Sequence, residues 1–254
     1  MVEKVVIKDN TKSPLHYLPE LDCFKNGTEY VFKPGINVIV GKNGTGKTTL
    51  MKLIERYLIV DKDECSVGDY NSNVSALMGL DRDVPEGVDV YADYDKNTFR
   101  LCHYSEKSDN DIMSGFESFG TAYMQMHSST GEGVTIALNS LFKRIFSKGA
   151  KLKFDYAELG TRLGSYGKYI EAHRVQEHDE WTILMDEPDR NLDLENIDQI
   201  KDILTYRKKR AQIIAVVHNP LLIYALSKSE KVNFIEMTPG YVEMIKQAVN
   251  DIVL

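Results

Sequence analysis

Eight consecutive residues, 41–48, have the types and spacing of a phosphate-binding loop. They read Gly-Lys-Asn-Gly-Thr-Gly-Lys-Thr and match the pattern G-x-x-x-x-G-K-[ST]. In such a loop, glycines let backbone N–H groups curl around the β-phosphate of a nucleotide. Lys47 would reach the β and γ oxygens, and the Thr48 hydroxyl would coordinate Mg²⁺. The sequence therefore predicts a bound nucleoside triphosphate.

The flanking residues predict the strand and the helix that position this loop. An apolar run at 36–40 precedes it, and residues 49–54 follow with a helical pattern. These flanks favour a phosphate loop over a chance glycine-rich turn before a helix. The residues expected to bind the nucleotide here are Gly41, Asn43, Gly44, Thr45, Gly46, Lys47, Thr48 and Thr49.

A second chemical signal lies at 181–188, where a buried-strand pattern ends in two carboxylates. The segment reads Trp-Thr-Ile-Leu-Met-Asp-Glu-Pro. Neighbouring side chains on a strand point to opposite faces, so the pair can share one site only near the end of the strand. We expect Asp186 to hold Mg²⁺ and Glu187 to act as general base toward the attacking water.

Composition favours a soluble, cytoplasmic protein with one large domain and an insertion. The chain has 254 residues, of which 43% are hydrophobic and 27% are charged. No apolar run reaches the length of a membrane span, and the first residues lack signal-peptide character, so direct membrane insertion is not expected. The three cysteines have no metal-ligand spacing and indicate reduced thiols.

The net charge of −7 is concentrated in one segment. Residues 61–111 contain 13 acidic and 5 basic side chains, so the rest of the chain is nearly neutral. We expect an acidic lobe at 61–115. It has two interpretations, a solvated surface lobe or a protein-docking lobe that repels nucleic acid.

With these two motifs, the chain resembles the ATP-binding cassette (ABC) ATPases. Residues 189–193, Asp-Arg-Asn-Leu-Asp, resemble the D-loop of that family, with Asp193 at the matching position. The strand pattern at 213–217 ends in His218, where the family has its switch histidine, a contact of the γ-phosphate and the attacking water. The resemblance implies an α/β P-loop NTPase of ABC type, with a mixed sheet, flanking helices, a β-rich N-terminal part and an inserted lobe.

The segment 128–133, Ser-Ser-Thr-Gly-Glu-Gly, resembles the signature loop of the family. By that resemblance, Ser129 and Gly131 would bind the γ-phosphate of a nucleotide held by a second copy, which gives an ATP-dependent homodimer. The same residues are also consistent with a helix capping box, with Ser129 as N-cap and Glu132 three residues later. The Ser-x-Gly-Glu form is closer to SMC, RecF-like and OLD-type ATPases, often labelled AAA, than to transport cassettes.

Two features depart from the family pattern. No glutamine occurs between residues 51 and 124, so the Q-loop glutamine has no match, and His103 or Ser105 would have to replace it. Residues 147–178 form an insertion in which lysines and arginines alternate with tyrosines. This insertion is interpreted either as a solvated elaboration or as a nucleic-acid contact through phosphates and ring stacking.

These observations together predict one ABC-type ATPase domain over 1–254 that binds ATP and Mg²⁺, dimerises around them and hydrolyses ATP. We expect it to act with a separate effector protein in DNA transactions or phage defence. A transporter subunit and a slowly hydrolysing nucleotide-bound scaffold are the alternatives. After a helix at 221–227, the pattern predicts a terminal hairpin of strands 232–237 and 241–244 across Thr-Pro-Gly.

Overall fold

A computed structural model describes the segments that surround the phosphate loop. The described residues are 1–13, 15, 17–61, 87–93, 99–105, 180–189, 194–205 and 211–253. Ser129, Gly131, Asp193, the insertion at 147–178 and most of the acidic segment lie outside them, so the predictions about these residues stay predictions. The same holds for the single-domain boundaries.

The centre of the fold, as far as the described residues show it, is a five-stranded parallel sheet. Its strands are β3 (Gly35–Val40), β5 (Phe99–Ser105), β6 (Glu180–Asp186), β7 (Ala211–Val216) and β8 (Val232–Glu236). They lie in the order β5-β6-β7-β3-β8. The three central strands, β6, β7 and β3, are almost continuously apolar and buried, because a parallel sheet is covered on both faces.

Within the described ranges, four helices flank this sheet: α1 (Lys47–Asp61), α2 (Leu194–Thr205), α3 (Pro220–Ser227) and α4 (Tyr241–Val253). Strand alternation divides the core into two halves. Val38 and Val40 belong to the cluster shared with α2, α3 and α4. Ile39 belongs to the opposite cluster, which includes Leu50 and Ile54 of α1. No helix within the described ranges is both long and apolar enough to cross a membrane.

A separate antiparallel sheet covers the α1 side. It has the order β2-β1-β4, with β1 (Val2–Ile7), β2 (Glu29–Val31) and β4 (Val88–Ala92). Between β1 and β2 the chain makes three short 3₁₀ turns, at Asn10–Lys12, Leu18–Glu20 and Asp22–Phe24. The segment predicted to form the acidic lobe thus supplies β4 to this sheet and β5 to the central one.

The predicted α/β class, with flanking helices and a β-rich N-terminal part, is confirmed. One expectation from the sequence is wrong, since the predicted terminal hairpin is a strand followed by a helix, β8 and α4. Val242, Ile245 and Val249 are buried at helical spacing on α4 and contribute to the core cluster beside α3. The first four residues of this helix alternate as a strand would, and the helical period emerges only over a longer window.

Candidate active site

The phosphate loop joins β3 to α1 in a conformation that depends on glycine. Gly44 and Gly46 have φ angles of 80° and 82°, in the left-handed region that disfavours side chains. The loop is held by its own polar groups, because the Thr45 hydroxyl donates to the Lys42 carbonyl at 2.9 Å. The Lys42 N–H donates to the Thr238 hydroxyl at 3.1 Å, which ties the loop to the β8–α4 connection.

The third 3₁₀ turn packs against the loop from behind. A Cβ atom placed on Gly46 would lie 2.7 Å from Cε2 of Phe24 and 2.9 Å from Cδ1 of Leu21. The Cys23 thiol donates to the Thr45 carbonyl at 2.6 Å. Gly46 is therefore required both for its backbone angle and for the close approach of this turn.

Lys47 lies almost fully buried at the N-terminus of α1, with its ammonium group directed back into the loop. The Nζ atom donates to the carbonyls of Gly41 at 2.9 Å and Lys42 at 2.8 Å. Desolvation lowers the pKa of Lys47, while the carboxylates of Glu187, Asp186 and Asp189 oppose that shift. A bound phosphate would add negative charge and favour the protonated form further.

Thr48 and Asp186 meet at the ends of α1 and β6. The Thr48 hydroxyl donates to Oδ1 of Asp186 at 3.1 Å. A hydroxyl and a carboxylate that converge in this way are the oxygen ligands that suit Mg²⁺, which also keeps waters and takes oxygens from a nucleotide. The described segments contain no cluster of three or more His, Cys, Asp or Glu residues that could bind a metal. Thr48 and Asp186 together fit a Mg²⁺ ion that takes its other oxygens from water and a nucleotide.

Glu187 has an unusual backbone conformation for a residue with a side chain, with φ of 55°. It follows β6 directly, and its N–H donates to the Val216 carbonyl of β7 at 3.2 Å. The left-handed turn means that Glu187 does not continue the strand alternation, and both it and Lys47 line one cleft. Asp186 is hydrogen-bonded to Thr48, which lines the same cleft as Glu187, so both consecutive carboxylates lie near Thr48.

His218 lies beyond the end of β7 and faces Glu187. Its Nε2 atom is 3.5 Å from Oε1 of Glu187, and both side chains are partly exposed to the cleft. The neighbouring Asn219 caps α3, and its side chain accepts from the N–H groups of Leu221 and Leu222. The strand and helix thus place an imidazole beside the expected general base.

One cleft of about 660 Å³ contains most of these groups. Its lining consists of Tyr17, Leu21, Asn43, Gly44, Gly46, Lys47, Thr48, Thr49, Glu187 and His218. Tyr17 and Leu21 are additions that the motif spacing does not indicate, because tertiary folding brings the 3₁₀ turns to the loop. Tyr17 is 45% exposed, and its hydroxyl lies 3.4 Å from that of Thr49.

Some of the predicted site residues are not brought into this cleft. Gly41 and Thr45 shape the loop from within through their contacts with Lys47 and Lys42. Ser129, Gly131 and Asp193 lie outside the described residues, and for His103 and Ser105 only the backbone of β5 is described. The described part of the site therefore consists of the phosphate loop and the cleft beside it.

Comparison with solved structures finds similar chains at low identity. One is described as "RNase-L Inhibitor", with 15% identity, a TM-score of 0.35, and coverage of 82% of this chain and 33% of that chain. A "Model of ribosome-bound archaeal Pelota and ABCE1" has 17% identity, a TM-score of 0.32, and coverage of 84% and 28%. The chain thus spans a third or less of the length of these two structures.

A third similar structure is described as "Dimeric structure of a post-hydrolysis state of the ATP-binding cassette MJ0796 bound to ADP and Pi". It shows 13% identity and a TM-score of 0.35, with 84% of this chain and 86% of that chain covered. No curated protein matches the sequence.

The family comparison covers most of the chain. The sequence profile of a family described as "AAA domain" matches residues 20–218. This range runs from the 3₁₀ turns beside the phosphate loop to His218 and contains every residue of the cleft except Tyr17. The match confirms the resemblance to AAA-labelled ATPases that the motifs indicated. The protein is a member of the AAA domain family of nucleotide-binding P-loop ATPases.

Proposed function

We propose that this protein binds ATP with Mg²⁺ and hydrolyses it by the mechanism of the ABC-type ATPases. The observation that carries the proposal is the cleft in which Lys47, Glu187 and His218 converge on the glycine-rich loop. A nucleotide-binding pocket with a carboxylate and an imidazole 3.5 Å apart at its phosphate end has the groups that γ-phosphoryl transfer to water requires.

Binding would replace contacts that the loop now makes with itself. The Lys47 ammonium donates to two loop carbonyls, and phosphate oxygens would compete for the same protons. The N–H groups at the start of α1 would add the favourable end of the helix dipole. Thr48 and Asp186 would hold Mg²⁺, which neutralises charge on the β and γ phosphates when bound.

Glu187 is the group proposed to direct hydrolysis. Its carboxylate would accept a proton from water as the water oxygen bonds to the γ-phosphorus and the bond to the β-γ bridging oxygen breaks, with ADP leaving. His218 would contact the γ-phosphate and hold the same water. Because charge develops only in the transition state, loss of Glu187 should lower kcat with little change in ATP affinity.

The nucleobase end of the cleft is proposed to involve Tyr17 and Leu21. Both side chains line the cleft. The Tyr17 hydroxyl lies 3.4 Å from that of Thr49, and Leu21 packs beside Gly46. A half-exposed phenol ring and an apolar side chain suit a planar purine, whose face stacks on aromatic rings. Tyr17→Ala should therefore weaken ATP binding more than it changes kcat.

The proposed cycle includes an ATP-dependent homodimer and a separate effector. Ser129, Gly131 and Asp193 are the residues proposed to complete the nucleotide site from the second copy. The downstream role proposed is a DNA transaction or phage defence. Size-exclusion chromatography of Glu187→Gln with Mg·ATP at micromolar concentration tests the dimer, since this variant should hold ATP and elute at twice the monomer mass. A persistent monomer contradicts the sandwich.

The central test is ATP turnover by the wild type and by Glu187→Gln, with and without double-stranded DNA at low salt. We expect turnover to fall by about 100-fold or more in the variant, with KM for ATP within about threefold. Glu243→Gln, on the exposed face of α4, is the matched control and should behave as the wild type.

Each result of this assay separates the functional alternatives. Stimulation by DNA that is lost in Glu187→Gln supports a nucleic-acid-coupled ATPase. Turnover that is unaffected by DNA but depends on Glu187 indicates a protein partner. If the chain is a transporter subunit, a pull-down in detergent should recover a membrane protein. Equal turnover in both proteins contradicts the proposed hydrolysis and leaves a nucleotide-bound scaffold.

A further inference from the structure

Asp189 is a buried carboxylate that the hydrolysis mechanism does not use. It lies in the turn after β6, and only 4% of the residue is exposed. Burial raises its pKa, and the hydrogen bonds it accepts oppose that rise. A buried charge costs free energy unless it is paired or hydrogen-bonded. The hydrogen bonds of Asp189 therefore indicate what this carboxylate does.

The Asp189 side chain accepts two hydrogen bonds from the backbone at His218 and Asn219. Oδ2 accepts from the His218 N–H at 2.7 Å and also from the Asn219 N–H. Its other oxygen, Oδ1, has no hydrogen-bond partner among the described residues. Hydrogen bonds to a charged acceptor are stronger than neutral ones, so this carboxylate holds two consecutive peptide groups firmly.

These bonds belong to a wider connection between the ends of β6 and β7. The Glu187 N–H donates to the Val216 carbonyl at 3.2 Å, and the Val217 N–H donates to the Ile39 carbonyl at 3.2 Å. Asn219 is fixed on its other side as the N-cap of α3. The backbone that carries His218 is therefore held from β3, from the turn after β6 and from α3.

The consequence for the cleft lies in the distance between His218 and Glu187. The imidazole can adjust only through its own side-chain torsions once its backbone is fixed, and it lies 3.5 Å from the Glu187 carboxylate. Catalytic groups that are misplaced by about 1 Å can lose on the order of 100-fold in rate. A group that fixes the His218 backbone would thus control turnover without contacting ATP.

We propose that Asp189 is a positioning residue that sets the imidazole of His218 against Glu187 by binding the backbone N–H groups of residues 218 and 219. The proposal rests on the proposed ATPase function of this site. It assigns Asp189 no contact with ATP, Mg²⁺ or the attacking water. Its effect passes entirely through His218.

The kinetic test compares Asp189→Ala, Asp189→Asn and His218→Ala in the full-length chain. Asp189→Ala should lower kcat by about 10- to 100-fold with KM for ATP within about twofold. Asp189→Asn keeps an oxygen that can accept from both N–H groups and should retain kcat within about threefold. Asp198→Ala, an exposed aspartate on α2, is the matched control and should leave both constants unchanged.

The double variant distinguishes positioning through His218 from a general structural role. In the His218→Ala background, Asp189→Ala should lower kcat by less than about twofold further, because the side chain it positions is gone. A further 10-fold loss in that background overturns the proposal. Unchanged kcat in Asp189→Ala overturns it as well, as does a rise in KM that matches the fall in kcat.

A spectroscopic measurement reads the same contact without turnover. The chain has six histidines, and the ¹³Cε1–H signal of His218 can be assigned as the one lost in His218→Ala. This signal should shift in Asp189→Ala and return in Asp189→Asn, and an unmoved signal in Asp189→Ala overturns the proposal. If Asp189→Ala does not fold, Asp189→Ser, with a shorter acceptor, replaces it in both assays with the same expected direction. If the wild-type protein shows no ATP turnover, only the proposed ATPase function is contradicted. The shift of the His218 signal then tests whether Asp189 positions the imidazole.

Discussion

Glu187 combines a catalytic assignment with a strained backbone. An L-residue in the left-handed region costs about 1–2 kcal/mol relative to the right-handed one, and its φ is 55°. Such strain persists where the surrounding structure imposes it, here through the Glu187 N–H bond to β7. This backbone conformation places Glu187 in the lining of the cleft, so stability is lost where the proposed general base is positioned.

The strain predicts a stability difference between two variants that both remove the charge. Glu187→Asn should be more stable than Glu187→Gln by about 0.5–1 kcal/mol in free energy of unfolding, because asparagine tolerates the left-handed region. Urea denaturation without nucleotide measures both, and the comparison cancels the loss of charge. Equal free energies of unfolding would show that the backbone of residue 187 is not strained.

At the same scale, the sequence indicates well which residues could form the site, but it indicates poorly how their side chains are oriented. The spacing of residues 41–48 and the Asp-Glu pair indicate which groups could do chemistry. The φ angle of Glu187 has no sequence signal, because glutamate does not favour that region. The roles proposed for Tyr17, Leu21 and Asp189 have no sequence signal either, because each depends on contacts between segments that are distant in sequence.

Among the elements, the strand–loop–helix unit depends on the 3₁₀ turn behind it. Phe24 is fully buried and packs against Gly46, and Tyr30 stacks edge-on against Phe24 at a centroid distance of 6.2 Å. This arrangement gives the phosphate loop a rigid apolar support. The shape of the loop is therefore a property of residues 21–46 together and not of the motif alone.

Gly46→Ala should damage both stability and nucleotide binding. The new Cβ would lie 2.7 Å from the ring of Phe24, and the alanine backbone would have to adopt φ of 82°. Strain and overpacking together should cost about 2–4 kcal/mol in free energy of unfolding.

Gly35→Ala separates these contributions, because Gly35 has φ of 92° and no atom within 4 Å of its Cβ position. Gly35→Ala should lose only about 1 kcal/mol and keep ATP affinity. Calorimetry with and without Mg·ATP measures both variants, and equal losses would contradict the clash.

The strands with long apolar runs were predictable as elements, while the last helix was not. β3, β6 and β7 are buried on both faces, and continuous apolar sequence is the expected signal. Residues 241–244 alternate over too short a window to separate strand from helix. The helical period emerges only over the longer window of α4, whose residues Val242, Ile245 and Val249 are buried in the core beside α3.

At the scale of the whole molecule, the side chain of Gln212 is one of those that join the two sheets. Gln212 is fully buried on β7, and its amide donates to the carbonyls of Val2 at 2.7 Å and Lys33 at 3.1 Å. Its oxygen accepts from the Val2 N–H at 2.8 Å. The first residues of β1 in the antiparallel sheet are thereby hydrogen-bonded to the centre of the parallel sheet, so neither sheet moves independently there.

Gln212→Leu should separate the sheets at this point. The change removes the side-chain partner of the Val2 N–H and carbonyl. The Lys33 carbonyl keeps its bond from the Asn37 amide. We expect a cost of about 2–5 kcal/mol in free energy of unfolding. Thr182, the residue paired with Gln212 on β6, supplies the matched control. Its hydroxyl is buried without a hydrogen-bond partner among the described residues, so Thr182→Val should be neutral or stabilising. Chemical denaturation of both proteins gives the two values, and a neutral Gln212→Leu would contradict the role of the bridge.

The position of β3 between β7 and β8 also determines when the protein can first bind ATP during its synthesis. The phosphate loop is complete in sequence at residue 48, yet its supporting strand pairs with residues 212–216 and 232–236. The loop itself is bonded to Thr238. A nascent chain must therefore extend past residue 238 before the loop has its folded neighbours. A product of interrupted translation that ends between residues 48 and 238 therefore carries the complete motif without the structure that makes the motif bind.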